Sequence, residues 1–416
     1  MREAEYSAFV RGLASGEKFQ DSPQPADHSA PRLSVALPIP GQGQMMQLSA
    51  RMAEFHYRGP GFDRIRVLAA LTVVVHHCSL MTIPITHDFL YEFSWGVTNT
   101  GNLAVAIFFA TSGALVVPGL LRGGDIGIFA INRFMRIMPA LVATVLVTIF
   151  VLGPVLTRLS PMQYLLDPHT YAYLNNIIFR ASHTLPGVTL ADGTGVLVNG
   201  SLWTLYFEVL SYVALAVAFK AGLLISKRAC LSLLVVVYAL NAACWFSPTV
   251  HDLIPDRIVV FLSLFVYFMA GAAFHVLADK VPYNAVAAVI AGALLLVSMP
   301  LGLGILTLPV LLPYLVVCLG FSGFLGKKPL PVDLSYGIYL NHALAITVLS
   351  VLFPWMCTFF TALPVVALSA VVLAAISWRF VEAPSLASKG FVCDFYREWK
   401  GRFQLRRRKV AAKSTR

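Results

Sequence analysis

The chain has 416 residues, 58% of them hydrophobic and 12% charged, with a mean hydropathy of +0.75. A soluble domain carries about 25% charged residues, so an ordinary soluble enzyme is excluded and the composition is that of an all-α polytopic membrane protein. The formal net charge of +11 then reflects membrane topology and attraction to anionic lipid, not a nucleic-acid partner.

Residues 1–60 are polar, contain the stretch DSPQPADHSAPRLS, and lack the apolar core of a signal peptide. They are expected to form a disordered arm. Ten apolar stretches follow that are long enough, or nearly so, to span a bilayer: 65–84, 101–121, 137–156, 201–219, 229–247, 257–277, 284–299, 301–320, 334–354 and 358–381. The seventh is short, and Pro300 marks a tight connection or a broken helix between it and the eighth. If the N-terminus is cytosolic, all of the 31 Lys and Arg except Arg158, Arg180 and Arg257 fall on the cytosolic side. The positive-inside rule therefore puts both termini in the cytosol. The expected organisation is the arm 1–60, a ten-helix membrane domain over 61–385 and a basic cytosolic tail over 386–416, whose RRRK run (Arg406 to Lys409) suits a lipid surface.

The first span carries Arg66 and His77. Eleven residues at 100° each leave the two side chains about 20° apart around the helix and about 16 Å apart along it. A guanidinium at the membrane edge thus sits below an imidazole near the middle, and ionisable groups at that depth are functional candidates. His76 projects about 100° away from His77, so His77, in register with Arg66, is favoured. The second span carries Phe108-Phe109-Ala110-Thr111-Ser112-Gly113, small enough in part for close helix contact or substrate access. Before the third span, Arg133 and Arg136 stand one turn apart and join Arg66 at the cytosolic rim. Arg forks match phosphate oxygens; snorkelling and membrane anchoring are the plainer reading. Without a P-loop or GxGxxG run, a nucleotide triphosphatase is disfavoured.

The segment 157–200 is the largest on the outer side, a candidate short amphipathic helix followed by a loop that could cover a site. The fourth span then opens Ser201-Leu202-Trp203-Thr204, with Glu208 about 10 Å in from its outer end. The ninth opens Ser335-Tyr336-Gly337-Ile338-Tyr339, with Ser335, Tyr339 and His342 on one face and His342 about 12 Å from its cytosolic end. A lone Ser or Thr in such a helix usually bonds its own backbone. His77, Glu208 and His342 are harder to dismiss, because burying all three against lipid costs several kcal/mol; a polar cavity or proton relay accounts for them. The six cysteines form no CxxC pair and read as packing residues, so neither a metal site nor a disulfide framework is expected.

From about Asp63 to Pro384 the chain resembles acyltransferase family 3, bacterial membrane O-acyltransferases with ten core helices. The resemblance rests on an ordered set: Arg66 and His77 with ten residues between them, FFATSGALV (108–116), RFMRIMP (133–139), SLWTLYFEV (201–209), SYGIYLNH (335–342) and FVEAP (380–384). It implies transfer of an acyl group, usually acetyl from acetyl-CoA, to a carbohydrate hydroxyl in a surface polysaccharide or glycolipid, in the bacterial inner membrane. It also implies that Arg66 and His77 are the essential pair and that Arg133 and Arg136 match the family's RxxR positions. On this reading Arg66, Arg133 and Arg136 hold the donor's phosphates. His77 is the general base or, alternatively, is itself acylated; Glu208 orients a histidine or binds acceptor hydroxyls; His342 relays protons. A multi-pass transporter or an export-complex component with a His/Glu relay is the competing reading.

Overall fold

The structure, a computed structural model, describes residues 46–81 and 88–414, the last of these (404–414) as backbone only. Ten principal helices follow one another: α1 Phe62–Ser79, α2 Thr100–Gly123, α3 Ile126–Val147, α4 Trp203–Lys220, α5 Lys227–Phe246, α6 Asp256–Val276, α7 Ala285–Ser298, α8 Gly304–Gly320, α9 Ser335–Leu352 and α10 Phe359–Ser377. A further helix, α11 Ala383–Ser414, continues α10. Each expected span overlaps one of these helices, within what is described; the third, 137–156, covers the second half of α3 and runs on through Thr148–Leu152 to Leu156. Seven helical stretches are long and apolar enough to cross a membrane among the described residues, and α7 and α8 are shorter apolar helices. α1 carries Asp63, Arg64 and Arg66 near its start, which lowers its hydropathy without shortening it.

Local chemistry sets the helix ends. Asn99, Asp125, Ser226 and Asn284 each accept a backbone N–H in the first turn of α2, α3, α5 and α7, satisfying donors that have no intrahelical partner. α2 and α6 approach backbone to backbone: a methyl group on Gly113 would strike the Phe268 carbonyl, and one on Gly271 would strike that of Ala110. Small residues are what permit such contact where lipid supplies no hydrophobic drive between helices. Two π-helical turns interrupt the long rods, at Thr148–Leu152 beyond α3 and at Trp378–Glu382 between α10 and α11. The second turns Glu382 inward, where it is only 3% exposed.

Two expectations change. Residues 1–45 lie outside the described residues, but 46–60 are not a disordered arm. Leu48–Glu54 is a helix whose Leu48 and Met52 are fully buried, and Arg51 Nε donates to the Phe321 carbonyl at 2.9 Å. Two apolar side chains four apart gave that short helix a face to bury. The segment 157–200 has the expected short helices, Pro161–Leu166 and Pro168–Ala172, followed by a loop, but part of it is buried in the bundle. Tyr164 and Tyr173 are fully buried, Tyr164 donates to the Ile149 carbonyl at 3.0 Å, and Thr347 donates to the Val198 carbonyl at 2.8 Å. The segment packs inward between the far halves of α3 and α9, so α4 begins part-way down α9. Asn199 Nδ2 donates to the Leu340 carbonyl at 2.9 Å, pinning that start.

Candidate active site

Two polar centres lie one above the other along α9. The lower is a cavity of about 100 Å³ whose walls include Arg66, Arg133, Arg136, Glu208, Tyr212 and Tyr339. Arg66 and Arg136 converge on one carboxylate, Asp333, at 3.0 and 2.5 Å. Arg66 also pairs with Asp63 at 2.6 Å, and Arg136 faces Glu382 at 3.7 Å. Asp333 Oδ1 accepts from the Ser335 backbone and hydroxyl at 3.2 and 2.6 Å, which fixes it at the start of α9. Burial alone would push the Asp333 carboxyl up; Arg66, Arg136 and the Ser335 bonds outweigh burial and hold it below the ordinary carboxylate range.

Arg133 is different. It lies over the Tyr212 ring, 5.7 Å from its centroid, and its buried Nε has no hydrogen-bond partner. The Arg66 Nε is likewise buried and unpartnered. The cavity therefore holds cationic donors that its own carboxylates do not satisfy. Glu208 accepts from the Tyr212 hydroxyl at 2.6 Å.

The upper centre is a pair of imidazoles. His342, 0% exposed, places Nδ1 2.8 Å from the Tyr339 carbonyl. A carbonyl only accepts, so that nitrogen carries the proton and Nε2 of the neutral ring is an acceptor. His342 Nε2 lies 3.2 Å from His77 Nδ1, which is also 3.0 Å from the Val73 carbonyl. Both neighbours accept, so His77 Nδ1 is the protonated atom and His77 Nε2 is left with its lone pair free. Tyr339 joins the two centres. Its hydroxyl donates to the Ser201 carbonyl at 3.0 Å and meets Thr204 Oγ1 at 2.6 Å, and its ring packs edge-on against Phe108 with centroids 5.7 Å apart. Phe108 and Tyr339 line the cavity; the imidazoles lie behind them.

The structure thus brings His77 to His342, and Arg66 to Arg133 and Arg136. It places Glu208 with the arginines, not with the histidines. The reason is the deep start of α4: with Ser201 to Thr204 at the level of Tyr339, one further turn carries Glu208 down to Tyr336 and Arg136. His76 pairs with Asp88 at 3.2 Å, a carboxylate that also caps the helix Phe89–Phe93. Asp333 is the residue that sequence reasoning missed. Its signal was an acidic side chain two residues before Ser335, at the opening of a helix.

Because removing one member of a largely buried ion-pair network strands the others, Asp333→Asn is expected to cost about 3–5 kcal/mol, read as a lower thermal midpoint in detergent at pH 7. The folded-state pKa is depressed, so this stability is fully present above the ordinary carboxylate range and is lost as pH falls through the depressed value. The gap between wild type and variant should close in acid; a constant gap would remove the pairing from the account.

A bundle of helices long and apolar enough to cross a membrane encloses a buried imidazole pair with an arginine-lined cavity beneath it, which is the build of a polytopic membrane protein. A family model described as an acyltransferase domain matches residues 60–379, and the chain belongs to acyltransferase family 3. The chain is 30% identical over 232 residues to an O-acetyl transferase of Shigella phage Sf6, covering 54% of this chain and 62% of the phage protein. It is 25% identical over 369 residues to Nodulation protein 10 of Rhizobium leguminosarum bv. viciae, covering 78% of this chain and 92% of that protein. No solved structure matches.

Proposed function

We propose that the chain is an O-acyltransferase that moves an acyl group, acetyl in the simplest case, from acyl-CoA to a sugar hydroxyl, with His77 as general base. The observation that carries this reading is the His342–His77 arrangement, which leaves His77 Nε2 as a free lone pair. The name of the phage relative supports acetyl transfer to oxygen. A hydroxyl is a poor nucleophile until its proton leaves, and a positioned imidazole is typically worth 10²–10⁴-fold. His77 takes that proton as the oxygen attacks the thioester carbonyl, then returns it to the departing thiolate sulfur. His342 holds the ring in the needed tautomer.

The basic end of the bundle faces the cytosol of a bacterial inner membrane on this reading, and the donor arrives there. A cavity of about 100 Å³ is too small for a whole coenzyme, so the thioester end enters it and the phosphates stay outside, attracted by the charge of Arg133 and Arg66. The thioester reaches His77 past Phe108. Arg136 is committed to Asp333, which makes Arg133 the better probe of donor binding. Arg133→Gln is expected to raise the apparent KM for acetyl-CoA about tenfold or more, the weight of one charge-assisted hydrogen bond, with a smaller effect on kcat. An unchanged KM would leave Arg133 as a membrane anchor. The function as a whole is tested by deleting the gene and comparing O-acetyl signals in surface glycans by NMR: loss of a signal, restored by the wild-type gene, is expected, and unchanged glycans overturn the reading.

A further inference from the structure

The space between α3 and α4 lies outside the path proposed for the thioester, although it shares Arg133 with the arginine cavity. The two helices flank an apolar groove of about 980 Å³, at the upper end of the range of about 300–1,000 Å³ typical of small-molecule sites. Phe134 and Met138 of α3 and Val213, Ala216 and Val217 of α4 are among its walls. From Val209 to Lys220 it runs about 17 Å along α4. It opens sideways, since Phe134, Val213 and Val217 are 58%, 54% and 63% exposed, and a side opening in a membrane-crossing bundle faces lipid.

Among the described residues, the charged side chains along these walls are Lys220, at the basic end, and Arg133, on the inner wall. Neither is paired with a carboxylate among the described residues, and the Arg133 Nε is buried with no partner at all. A soluble anion would satisfy the cations and leave the apolar trough empty. A neutral lipid would fill the trough and leave the cations unpaired. Hydrocarbon and negative charge on one molecule satisfy both.

We propose that the α3–α4 groove is a binding site for an anionic phospholipid from the leaflet at the basic end, its phosphate on Lys220 in the field of Arg133 and an acyl chain along Phe134, Met138 and Val213. Arg133, Ile137 and Tyr212 line both this groove and the arginine cavity. The lipid therefore backs the partition on which Arg133 is laid. The donor's own acyl group is not the occupant, because its thioester has to reach the imidazoles on the other side of that partition. That exclusion of the donor rests on the reaction proposed above, whereas lipid retention in the groove is measured without turnover.

Native mass spectrometry of the full chain in mild detergent, with equimolar phosphatidylglycerol and phosphatidylethanolamine, tests it without any turnover. The wild type should retain phosphatidylglycerol in preference. Lys220→Gln, an exposed change at a helix end, should cut that preference about fivefold, the weight of one basic side chain at an anionic surface. Ala216→Trp should fill the trough and lower retention of both lipids; should that variant fail to fold, the Lys220→Gln comparison decides alone. Equal retention of the two lipids by the wild type, or a preference untouched by Lys220→Gln, would mean ordinary surrounding lipid and overturn the site. A dimer that persists after lipid is stripped, and that Ala216→Trp dissolves, would assign the groove to a second copy and overturn it equally.

Discussion

A His77→Gln chain is expected to insert and purify like the wild type yet transfer acyl groups at least about 10²-fold more slowly. Glutamine fills a similar volume and can still donate toward His342 Nε2 and the Val73 carbonyl, so the bundle keeps its packing. What it lacks is a lone pair basic enough to accept a proton near neutral pH. The effect should therefore fall on kcat and on kcat/KM together, as for a group that acts in the transition state. Labelled acetyl-CoA and an acceptor glycan give the rate, and donor binding measured separately should be close to wild type. Transfer within a few-fold of wild type would remove His77 from the chemistry. The same variant separates base from covalent carrier. If His77 itself takes the acyl group, wild-type protein incubated with labelled donor and no acceptor should hold label that His77→Gln cannot; no such label is expected of a base.

Much of the bundle was legible because the lipid layer imposes one rule, that a crossing segment be long, apolar and helical. Hydropathy reports length, however, and not depth. It could not show that α4 starts beside Leu340 instead of at the outer surface, because the cause is a hydrogen bond from Asn199 to a carbonyl 141 residues away. That displacement moved Glu208 from the histidines to the arginines. Angular arithmetic placed Arg66 and His77 on one face of α1, and both face the bundle interior, Arg66 in the lower cavity and His77 in the upper pair. The rise between them is what matters chemically, since Phe108 and Tyr339 fill it. The place of Asp333 at a helix start was legible, but its partner was not, for the same reason as with Asn199: it meets Arg136 across 197 residues, and no local pattern encodes such a pairing. The helix Leu48–Glu54 was hidden by its polar surroundings, although Leu48 and Met52 had the spacing of a buried face.

His342→Phe is the second variant expected to have a large effect, and it tests the logic of the pair more sharply than loss of His77 does. Phenylalanine keeps a flat ring in a fully buried position and removes both ring nitrogens. The Tyr339 carbonyl loses the Nδ1–H donor now 2.8 Å away, and His77 Nδ1 loses its acceptor at 3.2 Å. The Val73 carbonyl, at 3.0 Å, still accepts from His77, so the tautomer is less firmly held without being abolished. The loss in kcat should lie within about 10²–10⁴-fold and be no larger than that of His77→Gln, with the donor KM little changed. The decisive measurement is the double variant. Residues that act as one unit are not additive, so His77→Gln with His342→Phe should be no slower than His77→Gln alone. If the two losses multiply, His342 does something separate from holding His77, and the hydrogen bond between the rings is packing without a catalytic consequence. If His342→Phe alone is as active as wild type, the tautomer argument fails, and the base has to be found among the remaining groups around Phe108.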